Sequence, residues 1–225
     1  MLLASGKLLV TGGVSAGGLT ATAELYDPRT EQFTATAGAM VAARHAHTAT
    51  RLPDGRVLVH GGFGDGASPP PSEVYDPIGD RFTTLGRPEA TVRAQHAALL
   101  HPDGTVWIIG GEDFDGVPMS SIVAFDPRTD SFVERAPLLM PRTWARAALL
   151  VDGRVLLAGG STSRSGDAAG TTELLAADGE YREGPRLGAA RVRHTLTPVA
   201  GTPRLLLVGG IDGRRQLVTS AEVFE

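Results

Sequence analysis

The chain repeats itself at a nearly fixed interval, and that period limits its fold before any single residue is weighed. Double glycines stand at Gly12-Gly13, Gly61-Gly62, Gly110-Gly111, Gly159-Gly160 and Gly209-Gly210, at spacings of 49, 49, 49 and 50. Each closes a short apolar run, such as Val57-Leu58-Val59 or Val155-Leu156-Leu157, and three runs follow an Asp-Gly turn at Asp54, Asp103 and Asp152. Apolar residues without alternation suit a strand buried on both faces. Asp-Gly supplies the dihedrals of a tight hairpin turn. A period near ~50 residues indicates a solenoid or propeller.

The rest of the unit is read by register. Arg44, Arg93, Arg142 and Arg191 recur every 49 residues, and three positions later come His47, His96, Ala145 and His194. An apolar stretch after each gives a first strand, and the glycine-ended run gives a second. Beyond the glycines lie irregular segments rich in Gly, Ser, Pro and Asp, over 14–22, 63–72, 112–121, 161–172 and 211–220. Variable loops at one point of a rigid repeat are where function concentrates. A third strand (Glu73-Val-Tyr75 and its counterparts) runs into Asp27-Pro28, Asp76-Pro77 and Asp126-Pro127, turn-initiating pairs. The aromatics Phe33, Phe82, Phe132 and Tyr181 open a fourth strand. Four short antiparallel strands per repeat, with no helical period, make one propeller blade.

In that order of features the chain resembles the kelch-repeat β-propellers, including bacterial kelch-like proteins and the central domain of galactose-oxidase-like proteins. The resemblance spans essentially the whole chain and implies radial blades, with the first strand lining a central channel and the fourth at the rim. The expectation is an all-β, five-bladed propeller of four-stranded antiparallel blades, with the first and last blades incomplete. It forms a single domain over residues 1–225, with blades about 1–40, 41–89, 90–138, 139–187 and 188–225.

Composition narrows the function. A net charge of −4 with mixed signs argues against a nucleic-acid binder. The absence of cysteine removes disulfides, thiol chemistry and Cys-based metal sites. It also removes the Cys-Tyr cofactor of the copper oxidases in the family. No apolar run reaches the ~18–20 residues of a membrane helix. Gly6 and Lys7 interrupt the apolar start, so no targeting segment is expected. No cofactor or metal is implied, and the compartment is left open.

Residues common to every blade solve a common packing problem, so the Arg and His columns are expected to hydrogen-bond within their own blades. His45, His60 and His101 form no column and read as surface or strand-end residues. Candidates for function lie where the columns vary. In kelch relatives, the residue after the double glycine and the residue two after the Arg face the channel mouth. Those positions here are Val14, Phe63, Glu112, Ser161 and Ile211, and Ala46, Gln95, Trp144 and Arg193. The ligand-binding set expected is Gln95, Trp144, Arg193, Phe63, Glu112 and Ser161, offering an aromatic face, an amide, a cation and a carboxylate. Arg214-Arg215 would suit an acidic partner. No catalytic residue is assigned.

The function expected is a non-catalytic binding module for a protein, peptide or glycan ligand. The competing reading is a sugar enzyme resembling the kelch mutarotases, with Glu112 and Arg193 as its acid–base candidates, or part of a larger six- or seven-bladed protein. The chain is expected to be monomeric, with its ring closed by packing of blade faces and an unpaired strand edge over 221–225 inviting association.

Overall fold

The computed structural model describes residues 1–66, 69–86 and 92–224. The expected boundary between the second and third blades, and part of the 63–72 loop, lie outside the described residues. All of the described structure is strand, turn and loop, so no helix is long and apolar enough to cross a membrane.

Five antiparallel sheets form the blades of a propeller. The first blade contains β1 (Leu8–Thr11), a small hairpin of β2 (Val14–Ser15) and β3 (Gly18–Leu19) in its loop, then β4 (Ala23–Asp27) and β5 (Gln32–Ala35). The second has β6 (Thr48–Arg51), β7 (Val57–His60), β8 (Glu73–Asp76) and β9 (Arg81–Thr84). The third has β10 (Ala97–Leu100), β11 (Val106–Ile109), β12 (Ile122–Asp126) and β13 (Ser131–Arg135). The fourth has β14 (Arg146–Leu149), β15 (Val155–Ala158), β16 (Thr172–Leu175) and β17 (Tyr181–Glu183). The fifth has β18 (Thr195–Pro198), β19 (Leu205–Val208) and β20 (Ala221–Phe224). The three middle blades have four strands and the outer two have three, as the repeat pattern predicts. Residues 1–3 lie beside β1 through Leu2↔Leu8 pairing, and Leu3 accepts the place in its turn that Leu52 takes in the second blade.

The second strands explain the unbroken apolar runs. β7, β11 and β15 are buried at every position. Along β11, Val106 and Ile108 meet Leu58 of the second blade, while Trp107 and Ile109 meet Val155 and Leu157 of the fourth. Successive side chains point to opposite faces, so a strand between two blades needs apolar residues at both parities. Each such side chain contributes about 1.5–3 kcal/mol on burial. The core is therefore a series of layers between blades rather than one central mass. Inner strands β6, β10, β14 and β18 stand side by side around the axis.

The double glycines fix the joints. The second glycine's amide donates to the carbonyl of the next blade's arginine: Gly13 to Arg44, Gly62 to Arg93, Gly111 to Arg142 and Gly160 to Arg191, at 2.7–2.9 Å. The first glycine has positive φ (59° at Gly110, 60° at Gly159), and a Cβ there would lie 2.5 Å or 2.6 Å from that same carbonyl oxygen. Gly209 differs. A Cβ on it would meet nothing within 4 Å. Leu8 and Val10 of the first blade and Val208 and Val223 of the fifth are correspondingly exposed.

Gly159→Val and Gly110→Val should each lower stability by more than about 2 kcal/mol, because a branched Cβ enters a left-handed position against a carbonyl. Gly209→Ala, with open space and only its φ of 70° to resist, should cost about 1 kcal/mol or less. Urea midpoints of the three variants give the comparison, and equal shifts would refute this account of the joint.

Candidate functional site

The mouth is built from the same joint. Each buried arginine sends its guanidinium back into its own blade: Arg44, Arg93, Arg142 and Arg191 donate to the carbonyls of Gly61, Gly110, Gly159 and Gly209 at 2.9–3.1 Å. Arg44, Arg142 and Arg191 also pair with Glu73, Glu173 and Glu222 of the third strands. In the third blade Val123 stands at that position, and Arg93 donates to the Ser121 carbonyl and hydroxyl at 2.9 Å. Burial lowers the Arg93 guanidinium from 12.5 to about 10.

One residue beyond the arginine, the chain bridges to the residue following the double glycine: His45↔Phe63, Ala94↔Glu112, Thr143↔Ser161 and Val192↔Ile211. The next residue is left-handed in every copy, with φ of 57° at Ala46, 54° at Gln95, 55° at Trp144 and 57° at Arg193. None is glycine. A left-handed residue with a Cβ costs roughly 1–2 kcal/mol, and such residues persist only where their surroundings fix them. Here the bridge holds one side. On the other, the Gln95 amide donates to Ala46 (3.1 Å) and the Trp144 amide to Gln95 (3.0 Å). The two columns singled out in the sequence thus lie together at one end of the blades.

Their side chains do not all reach the same space. Trp144 and Arg193 line a cleft of about 400 Å³ together with Arg164, Gly166, Ile211 and Arg215. The Arg193 guanidinium lies over the indole, 4.4 Å from its centroid, a cation–π contact. Trp144 therefore turns toward the loops and does not fill the space above Ala145. Among the described residues, none of Arg164, Arg193 and Arg215 forms an ion pair. Asp212, in the same cleft, accepts the amides of Arg214 and Gln216 at 2.8 Å and so shapes its own loop. Gln95 lines a second cavity, in the channel, of about 320 Å³.

Phe63 packs on His45 (5.6 Å) and on the exposed ring of Phe114 (5.5 Å). The Glu112 carboxylate is buried and accepts the Thr143 hydroxyl at 2.9 Å, and burial raises its pKa above the usual carboxylate value. Ser161 is fully buried, its hydroxyl engaged with the backbone of Ser163. These three line neither the Trp144 cleft nor the channel cavity.

The imidazoles correct the sequence reading. They bond between blades: His47 Nε2 to the Thr11 hydroxyl (2.9 Å) and His96 Nε2 to the Thr48 hydroxyl (2.7 Å). Where Ala145 replaces the histidine, Ala97 of the preceding blade replaces the threonine. His60 and His101 stand at strand ends, as expected, but are buried rather than at the surface; His60 meets Ser72 (2.9 Å) and His101 stacks on Trp107 (4.3 Å).

With this geometry established, the comparisons are informative. Residues 93–139 match the family described as Kelch motif. The chain superposes on the solved structure titled "Structure of YjhT" with a TM-score of 0.82 at 16% identity, over 100% of this chain and 82% of that one. The chain is a five-bladed β-propeller with a kelch motif in its third blade. No curated protein matches it in sequence. The matched motif is the third blade from its buried Arg93 to the end of β13 and into the turn beyond, one of the three blades with four strands.

Two predictions test the joints of this propeller. Ala145→His alone should lose about 1–3 kcal/mol, since a buried imidazole would lack its hydroxyl, and Ala97→Thr added to it should restore most of that loss in a double-mutant cycle of denaturation midpoints. Burial holds His47 and His194 at about 4, from a usual 6.5. Between those values the unfolded chain binds more protons than the folded one, so stability is full above pH 6.5 and falls as pH drops through 4. His47→Gln should flatten that acid-side slope, and an unchanged slope would show that His47 does not contribute to it.

Proposed function

We propose that this propeller is a binding module that takes a peptide or glycan ligand at the loop-bearing mouth of the fourth and fifth blades. Kelch propellers are in general protein-interaction modules. The observation that carries the reading is the Trp144 cleft. One indole face and three guanidinium groups converge there, and no ion pair occupies those cations among the described residues. Aromatic and arginine side chains dominate binding energy at interfaces, and arginine clusters recognise carboxylates and phosphates. Acidic peptides and acidic glycans are thus the favoured ligands.

A peptide and glycan array with matched acidic and neutral members is the direct test. Trp144→Ala and Arg193→Ala should weaken the selected ligand at least tenfold, and Gln95→Ala less, with melting temperatures within a few degrees of the parent. If Trp144→Ala unfolds the protein, the indole is core and the cleft loses its anchor. A second reading, a sugar mutarotase-like enzyme, is favoured by one observation: the buried Glu112 carboxyl, raised by desolvation as a general acid requires. Accelerated anomer exchange by the protein, lost in Glu112→Gln, would support it over the first.

A further inference from the structure

The channel cavity carries a charge that the mouth does not explain. Arg146 opens the inner strand β14, at the position held by Thr48 in β6, Ala97 in β10 and Thr195 in β18. In the second blade that threonine serves the next blade's histidine. Arg146 makes no such bond to His194, whose two ring nitrogens have no hydrogen-bond partner among the described residues. It is half-buried, and its one described hydrogen bond goes from Nη1 to the Ala145 carbonyl at 3.1 Å. No ion pair reaches it among the described residues.

The surroundings leave both room and donors. Ala97, Ala98 and Ala147 line the cavity of about 320 Å³ beside Arg146, with Thr48, Gln95 and His96 completing its polar wall. Its two lining imidazoles are neutral at pH 7, since burial holds His47 at about 4 and His96 well below its usual value. Among the described residues Arg146 is therefore the one formal charge on the wall, and desolvation lowers its pKa. A partly buried cation without a counter-charge is costly to maintain, and a fixed guanidinium fork matches a carboxylate or oxyanion in two parallel hydrogen bonds.

We propose that the channel of this propeller is a binding site for a small anion, a monocarboxylate or an inorganic oxyanion, held by Arg146. The site is separate from the Trp144 cleft. It shares neither Arg146 nor the alanine wall with that cleft.

Thermal unfolding at low ionic strength tests this with sodium acetate and sodium phosphate as probes and sodium chloride at matched ionic strength as the reference. The parent and Arg193→Gln should gain melting temperature saturably with acetate or phosphate. Arg146→Gln should need at least tenfold more of either, and Arg146→Lys should retain part of the response. Crystals soaked in sodium selenate should place the selenium anomalous peak against the Arg146 guanidinium, a readout that does not depend on the variants folding. An Arg146→Gln response equal to the parent's, or a parent response no greater than that to chloride, overturns the proposal. Loss of the response in Arg193→Gln with retention in Arg146→Gln would instead place the anion at the mouth.

Discussion

A buried guanidinium at the entry to each of the second to fifth blades holds one glycine carbonyl, while its own backbone carbonyl accepts an amide from the preceding blade's glycine pair. That double engagement ties a blade's first strand to its second and the blade to its neighbour. The natural experiment within the chain is Arg93. Its blade has Val123 where the other three have glutamate, and it is as buried as they are and keeps the glycine carbonyl. The bond to the glycine carbonyl is the contact that all four arginines share. In the pairs to Glu73, Glu173 and Glu222, desolvation of several kcal/mol per ion offsets most of the attraction. Having a glutamate at 73 or 173 still matters: it also accepts the amide of Val41 or Leu139, and so anchors the segment leading into the arginine.

From this joint the mouth follows. The arginine and the bridge one residue later fix the chain so firmly that Gln95, Trp144 and Arg193 are left-handed without being glycine. Sequence alone does not reveal this, because those side chains have no preference for that region. Their importance was legible only as a column of unlike residues inside a column-rich repeat. The glycines, the arginines and the strand order were legible because five copies of the glycine pair and four of the arginine state them in register. Ser161 and Glu112 show where that logic stops. A variable column marks a place in the fold, but whether a side chain there meets solvent depends on its neighbours, Thr143 across the joint for Glu112 and Ser163 in its own loop for Ser161.

The inner strands add a second lesson about repeats. His96 and Thr48 form a bonded pair across one joint, and at the next joint both partners have become alanine. The exchange was written in the sequence, 49 residues apart, but it becomes readable only when the register between adjacent blades is known. Losing the two polar groups together avoids stranding either, which would cost about 1–3 kcal/mol. The third joint breaks the pattern differently, with Arg146 before His194. A neutral, donor–acceptor pair has been replaced there by a cation that the described side chains do not neutralise.

Repetition makes such departures meaningful. Every blade meets the same packing demand, so a residue that differs in kind at an equivalent position has been released from that demand or answers another one. At the mouth, Ala46, Gln95, Trp144 and Arg193 differ in every property while their backbones coincide. In the channel, Thr48, Ala97, Arg146 and Thr195 differ while their strands pair alike. In both places the backbone solution is shared and the side-chain chemistry is free, which is the condition under which a rigid scaffold can vary its ligand without disturbing its fold.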